Sequence, residues 1–222
     1  MAKKIYLSPS SQSENSYKTG GTNEQTQCRK IAEACAVYLK KAGFEVKCAN
    51  YGTMYTRTSE SNGWGADLHV PIHTNAFNGK ITGGTQVYLN SLTGEHKKVG
   101  QAVLNRLAPL TPGTSHEKLV QNSSFYEIAN ARAMTVYIEA EFHDTKAGAD
   151  YIRTHTTEIG EAIAKGICDY YGVKVQTSTP KPSTGSTSGK LYRVQVGAYG
   201  QKANAEAMQK KLKAAGFDAI IV

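Results

Sequence analysis

Ala66-Asp67-Leu68-His69-Val70-Pro71-Ile72-His73-Thr74-Asn75-Ala76 is an apolar run that closes on a histidine and an asparagine. It reads as a buried strand, and in α/β folds the turn after such a strand is where chemistry is placed. His73 is therefore the residue from which the rest of the chain is read. Two histidines four apart would share one face of a helix, the spacing of zinc-binding helices. Pro71 between them lacks an N–H donor and clashes with the preceding turn, which argues against a helix. On a strand, four steps of roughly 3.3 Å carry His69 about 13 Å from His73, too far for one ion to touch both. The strand end favours His73 as a ligand and leaves His69 as a satisfied core or rim histidine. Pro71 also costs one ladder hydrogen bond, so an edge or a bulge is expected near the end of this strand.

Working outward, Lys4-Ile5-Tyr6-Leu7-Ser8 is a short strand closed by Pro9 and the polar run from Ser10 to Asn15. After Gly20-Gly21, Thr22 with Gln25 three residues on has the pattern of a capping box. Cys28, Ile31, Cys35 and Leu39 then repeat at helical spacing as far as Gly43, predicting a helix over about 23–42. Phe44 to Cys48 alternates like a strand, which gives strand–helix–strand, the unit of parallel sheets. Arg57 and Asn62 fall in a polar connection. Gly84 to Leu89 is a further strand, and Thr93 caps a helix to about Leu107. Ala108 to Asn122 reads as a loop, Thr135 to Phe142 as the last strong strand, and Ile152, Ile159, Ile163 and Ile167 as one long closing helix up to Gly172. The fold class is α/β, a mainly parallel twisted sheet with helices on both faces.

Residues 176–189 are Thr, Ser, Pro, Lys and Gly with almost no apolar side chain, the composition of a linker. Beyond them, Leu191 to Tyr199 alternates as a strand, Ala203 to Ala215 is an amphipathic helix and Phe217 to Val222 a second strand. The chain thus divides into a domain over 1–175, a linker, and a small β–α–β module over 190–222.

At 222 residues the chain can bury a sizeable core. The cysteines (Cys28, Cys35, Cys48, Cys168) match neither a Cys-x-x-Cys pair nor a disulfide framework, and buried thiols in a reducing compartment are expected. The first residues show no long apolar run and no cleavage pattern, so no signal peptide is expected, and synthesis in the cytoplasm follows. No stretch is long enough to insert in a membrane. Of the net charge of +8, Lys and Arg number 19 against 16 acidic residues up to Val175 and 7 against 2 from Gln176 onward. Such a tail favours a polyanionic partner. The tail's aromatics, Tyr192 and Tyr199, alternate as strand residues, which speaks against nucleic acid.

With these residues placed, Lys3 to Val173 resembles the zinc-dependent N-acetylmuramoyl-L-alanine amidases, which detach stem peptides from peptidoglycan. Ile72-His73-Thr74-Asn75-Ala76 is similar to the family's Ile-His-x-Asn-Ala signature, whose histidine binds zinc. Thr22-Asn23-Glu24 opens the first long helix where the family has a glutamate ligand, and Tyr137 to Phe142 is similar to the strand with the catalytic glutamate, here Glu139. One departure stands out. Where the family has Asp-Pro-Gly-His after the first strand, this chain has Ser8-Pro9-Ser10-Ser11-Gln12. Gln12 or His143 could replace the lost imidazole, chemistry favouring His143 and position favouring Gln12. A degenerate site in a non-catalytic wall-binding protein is the alternative.

The resemblance implies a zinc ion that acidifies water and polarises the carbonyl, with Glu139 as base and then acid. Glu141, where the family has glycine, shares its face. Arg57 and Asn75 are candidate substrate contacts. The C-terminal module resembles half of a SPOR domain, which binds glycan strands. Being only half, it is expected to pair with the same module of a second chain. A wall module without an export signal implies an endolysin-like protein that acts on peptidoglycan after release.

Overall fold

The computed structural model describes residues 2–81, 83–113, 116–174 and 202–214. They fall into two units, divided between Thr177 and Ser178. In the first unit the strands are β1 (Lys4–Pro9), β2 (Glu45–Cys48), β3 (Leu68–Asn75), β4 (Gln86–Leu89), β5 (Lys118–Gln121), β6 (Met134–Thr135) and β7 (Tyr137–Phe142). Its helices are α1 (Glu24–Lys41), α2 (Met54–Trp64), α3 (Gly94–Leu107), α4 (Tyr126–Asn130), α5 (Lys146–Thr154) and α6 (Thr156–Tyr171).

The sheet runs β2-β1-β3-β7-β4-β5, with β6 paired to β3 just before β7. All its pairings are parallel except β4 with β7. β3 is central, so Pro71 marks no edge. The expected irregularity is there instead, as a register shift between His73 and Asn75 against β7.

Alternation along the strands sorts the two faces. Ile5, Leu7, Val70 and Ile72 join Ile31, Cys35 and Leu39 of α1 and Ile159, Ile163 and Ile167 of α6 in one apolar core. Each such side chain contributes on the order of 2 kcal/mol when buried. The helices approach closely where glycines allow it. A Cβ on Gly160 of α6 would meet the Ile31 carbonyl of α1, and one on Gly166 would meet Val103 of α3. The opposite face carries Tyr6, Ser8 and His69, and α2 and α4 cover it through polar groups: Tyr6 Oη donates to Glu60 at 2.6 Å and Ser8 Oγ to Glu127 at 2.6 Å.

Several expectations from sequence are corrected. The first helix is capped by Asn23, whose side chain accepts from Thr26 N at 2.9 Å, and not by Thr22. The polar connection around Arg57 and Asn62 is the helix α2, whose buried residues are Arg57, Thr58 and Ser61. A helix that buries polar groups has no apolar stripe to read. The segment 108–122 contains a 3-10 turn, Ala108–Leu110, and the strand β5. The closing helix is two helices broken at His155, whose ψ of 27° with φ of −126° is not helical.

In the second unit the described residues form the helix α7 (Lys202–Ala214), with a Lys202–Glu206 ion pair at 3.6 Å. The linker and the flanking strands expected from sequence lie outside the described residues.

Candidate active site

β3 delivers His73 to the carboxyl end of the sheet, and β7 sets Glu139 directly beside it in register. From the other side Glu24, the first residue of α1, reaches over the sheet end. Its Oε1 lies 2.8 Å from His73 Nδ1, with both side chains buried. The turn that brings Glu24 here is fixed by backbone bonds, Glu24 N to Asn15 O at 2.9 Å and Gln25 N to Gln12 O at 3.2 Å.

These bonds also place Gln12 and Asn15, and the result is a closed ring of four side chains. Asn15 Nδ2 donates to Glu24 Oε2 at 2.7 Å and to Gln12 Oε1 at 2.9 Å, while Gln12 Nε2 lies 3.4 Å from His73 Nδ1. With Nδ1 protonated, His73 donates to Glu24 Oε1 at 2.8 Å, and the Gln12 amide nitrogen, itself a donor, faces the same nitrogen at 3.4 Å.

The charges point the same way. Burial alone would lower the His73 pKa, but the hydrogen bond to Glu24 and the charges of Glu139 and Glu24 raise it. Glu24 is held below the usual carboxylate value although burial pushes it up, chiefly by His73 and then by Asn15. Glu139 is pushed up to about 8 by burial, with His73 opposing and Glu24 adding to the rise. Among the described residues its Oε2 is buried and has no hydrogen-bond partner. Two carboxylates thus share one imidazole.

Carboxylate, imidazole and amide around an electron-rich centre fit a divalent cation, with Glu24 and His73 as the strong donors. Gln12 stands at the third corner, where it would have to turn its oxygen inward. Among the described residues no three His, Cys, Asp or Glu side chains converge as for a metal.

His143 does not fill that corner. Its Nδ1 bonds Thr74 Oγ1 at 2.9 Å, its ring stacks on Tyr17 at 4.9 Å, and Tyr17 Oη bonds Thr74 Oγ1 at 2.9 Å. Thr74 alternates with His73, so this trio lies on the other side of the sheet. Burial holds the His143 pKa down.

Arg57 is no substrate contact either. It is 3% exposed, with its guanidinium on the carbonyls of Pro9 and Tyr51. Glu141 faces away from the ring. Its Oε1 accepts from Gly84 N at 2.9 Å and Phe142 N at 2.7 Å, and burial raises its pKa. The Gly83-Gly84 turn packs so closely on it that a Cβ on Gly83 would meet the carboxylate.

His69 is fully buried, stacked on Tyr6 and bonded to Ser61 Oγ at 3.0 Å and Glu127 Oε1 at 3.1 Å. Serine, histidine and glutamate make a hydrolytic triad by composition, but all three are buried and join β3 to α2 and α4.

Asn75 remains at the site, its Nδ2 donating to Gln86 Oε1 at 3.2 Å. Gln86 is a residue the sequence did not single out. It lies opposite Glu139 across β4 and β7 and also accepts from Tyr88 Oη at 2.7 Å. Tyr137 stacks on His73 at 4.6 Å and fixes the imidazole plane.

A family model described as N-acetylmuramoyl-L-alanine amidase matches residues 7–169, and one described as a SPOR domain matches 173–222. The sporulation-specific N-acetylmuramoyl-L-alanine amidase of Bacillus subtilis (strain 168) is 26% identical over 238 residues, spanning 99% of this chain and 84% of that protein. The amidase CwlM of Bacillus licheniformis is 24% identical over 168 residues, 75% of this chain and 60% of that protein. Among solved structures, the catalytic domain of the amidase CwlV from Bacillus (Paenibacillus) polymyxa var. colistinus has a TM-score of 0.68 at 19% identity, covering 78% of this chain and 99% of that one. The amidase AmiC2 of Nostoc punctiforme has a TM-score of 0.68 at 17% identity, covering 77% of this chain and 97% of that one. At such identities the structural likeness shows the fold, and the match over residues 7–169 places this chain in the N-acetylmuramoyl-L-alanine amidase family.

Proposed function

We propose that the chain hydrolyses the amide bond between N-acetylmuramic acid and the L-alanine of the peptidoglycan stem peptide, with zinc held by Glu24, His73 and Gln12. The observation that carries this reading is the register pair His73 and Glu139, with Glu24 closing on the same imidazole nitrogen. Zinc, when bound, supplies Lewis-acid polarisation of the carbonyl and acidifies water.

The remaining work falls to side chains of this chain. Glu139, with Oε2 buried and unpaired among the described residues, takes a proton from the attacking water and returns it to the departing L-alanine nitrogen. Its raised pKa suits both halves of that transfer. Asn75, held by Gln86, presents an amide beside the reacting bond. The SPOR-like module holds glycan strands, and two copies pair through it. In the cell the protein is endolysin-like: it is made in the cytoplasm and meets the wall after release, with peptidoglycan and not nucleic acid as its partner.

The amide at Gln12, where the family has an imidazole, favours a second reading, a wall-binding protein without catalysis. Mass spectrometry of digested peptidoglycan decides between them. Intact stem peptides with a free L-alanine amino terminus, and glycan freed of peptide, support the amidase. Undigested wall that still pellets the protein supports the binder, and cuts within the stem would mean a peptidase.

A further inference from the structure

The aromatic rings around the site continue outward. From His73 the stack passes to Tyr137 and then to Phe125, whose centroid is 5.0 Å from that of Tyr137. The next residue, Tyr126, meets Tyr55 of α2 edge-to-face at 4.4 Å. Tyr55 is 55% exposed and Tyr51, four residues before it, 86% exposed. Gly52, at φ 92°, turns the chain between Tyr51 and the start of α2, and the Tyr51 carbonyl is held by buried Arg57 Nε at 3.2 Å. The backbone under these rings is therefore fixed, while the rings stand in solvent.

The composition of the patch is as telling as its rings. The two segments that form it, residues 50–55 and 122–126, read Asn-Tyr-Gly-Thr-Met-Tyr and Asn-Ser-Ser-Phe-Tyr. Neither holds a charged residue, in a chain that is 20% charged. Rigid tyrosine faces among small hydroxyl and amide groups form a surface that binds uncharged, hydroxyl-rich ligands, because the rings cover C–H faces while the polar groups pair with hydroxyls and acetamides. The cation at its edge, Arg29, is bonded to the Asn50 carbonyl.

We propose that Tyr51, Tyr55 and Tyr126 form a saccharide subsite that receives the glycan strand next to the muramic acid whose peptide is cut. The placement rests on the amidase reading, since the ring contacts from His73 reach Phe125, the residue before Tyr126. The ligand class, a chain of N-acetylated hexosamines, rests on the patch itself.

Two measurements on the full chain test it. In the first, NMR follows the tyrosine ring signals during titration with tetra-N-acetylchitotetraose, which needs no catalysis. Tyr51 and Tyr55 signals are expected to shift and saturate, and Tyr51→Ala is expected to weaken binding at this patch about tenfold while Tyr51→Trp retains it. No shift at either tyrosine overturns the subsite, whatever the SPOR-like module binds. In the second, KM and kcat are measured on soluble glycan strands of graded length with identical stems. KM is expected to fall with length in the unmodified protein. Tyr51→Ala with Tyr55→Ala should raise it about tenfold on long strands only, kcat unchanged. An equal rise on a single muramoyl-peptide would assign the tyrosines to the stem and overturn the proposal. No cleavage of any substrate by the unmodified protein, with the NMR shifts present, would defeat the amidase reading and leave the saccharide site standing.

Discussion

Glu24 Oε1 and His73 Nδ1 stand 2.8 Å apart, the first residue of α1 against the sixth of β3, joined into a ring by Asn15 and Gln12. This contact brings together the two strong donors of the site. It also shows what the missing family histidine changes: the third corner is a neutral amide whose oxygen points to Asn15. Replacing Gln12 with His should therefore tighten zinc binding, on the order of tenfold to a hundredfold. Competition with a chromophoric chelator measures this. Unchanged affinity would mean that position 12 does not face the ion.

Glu139 gives the metal-free protein a distinctive pH dependence. Its carboxyl titrates near 4.5 when unfolded and is pushed up to about 8 by burial in the folded protein. The folded state therefore holds the extra proton between those values, and stability falls as pH rises from about 5 to about 8. Because the side chain is partly open to solvent, the loss is about 2 kcal/mol rather than the full shift. Glu139→Gln should remove this dependence, equal the parent near pH 4 and exceed it at pH 8 in urea unfolding after chelation. The same slope in both proteins would show that another group is responsible.

The buried pair of His69 and Glu127 makes a different prediction. Glu127→Ala leaves His69 Nε2 and Ser8 Oγ without their acceptor in a closed interior. Unfolding should become easier by about 3 kcal/mol, and α4 should lose amide protection first. A cost below about 1 kcal/mol would mean that water fills the gap.

Gly160→Ala tests the helix layer without touching the site. The added methyl would sit 2.4 Å from the Ile31 carbonyl oxygen and 2.8 Å from Ala34 Cβ, so α6 must move off α1. A loss of about 1–3 kcal/mol is expected. A neutral effect would mean that α6 slides at little cost.

What the sequence showed depended on whether burial was apolar. α1, β3 and β7 were legible because Ile31, Leu39, Ile72 and Ile138 mark their buried faces. α2 was not, since Arg57, Thr58 and Ser61 serve buried polar groups and carry no hydrophobic period. β5, Lys118–Gln121, was lost among turn formers because only Leu119 and Val120 are apolar in it. At the site, His73, Glu24, Asn75 and Glu139 were named from motifs, and the fold brings them to one sheet end. Asn15 and Gln86 escaped because they act through other side chains. A pattern of spacing holds no trace of that. His143 looked like the better donor by chemistry, and only the folded chain shows its Nδ1 bonded to Thr74 Oγ1.

The central claim is that this chain's own Glu24, His73 and Glu139 make a metal-dependent amidase. The most direct measurement follows L-alanine amino termini released from purified peptidoglycan as zinc is returned to the chelated full chain. Release should rise with bound zinc to a plateau at about one per chain and be absent in Glu139→Gln, which should bind zinc equally well. Release that is indifferent to chelation, or a Glu139→Gln protein as active as its parent, would contradict the account.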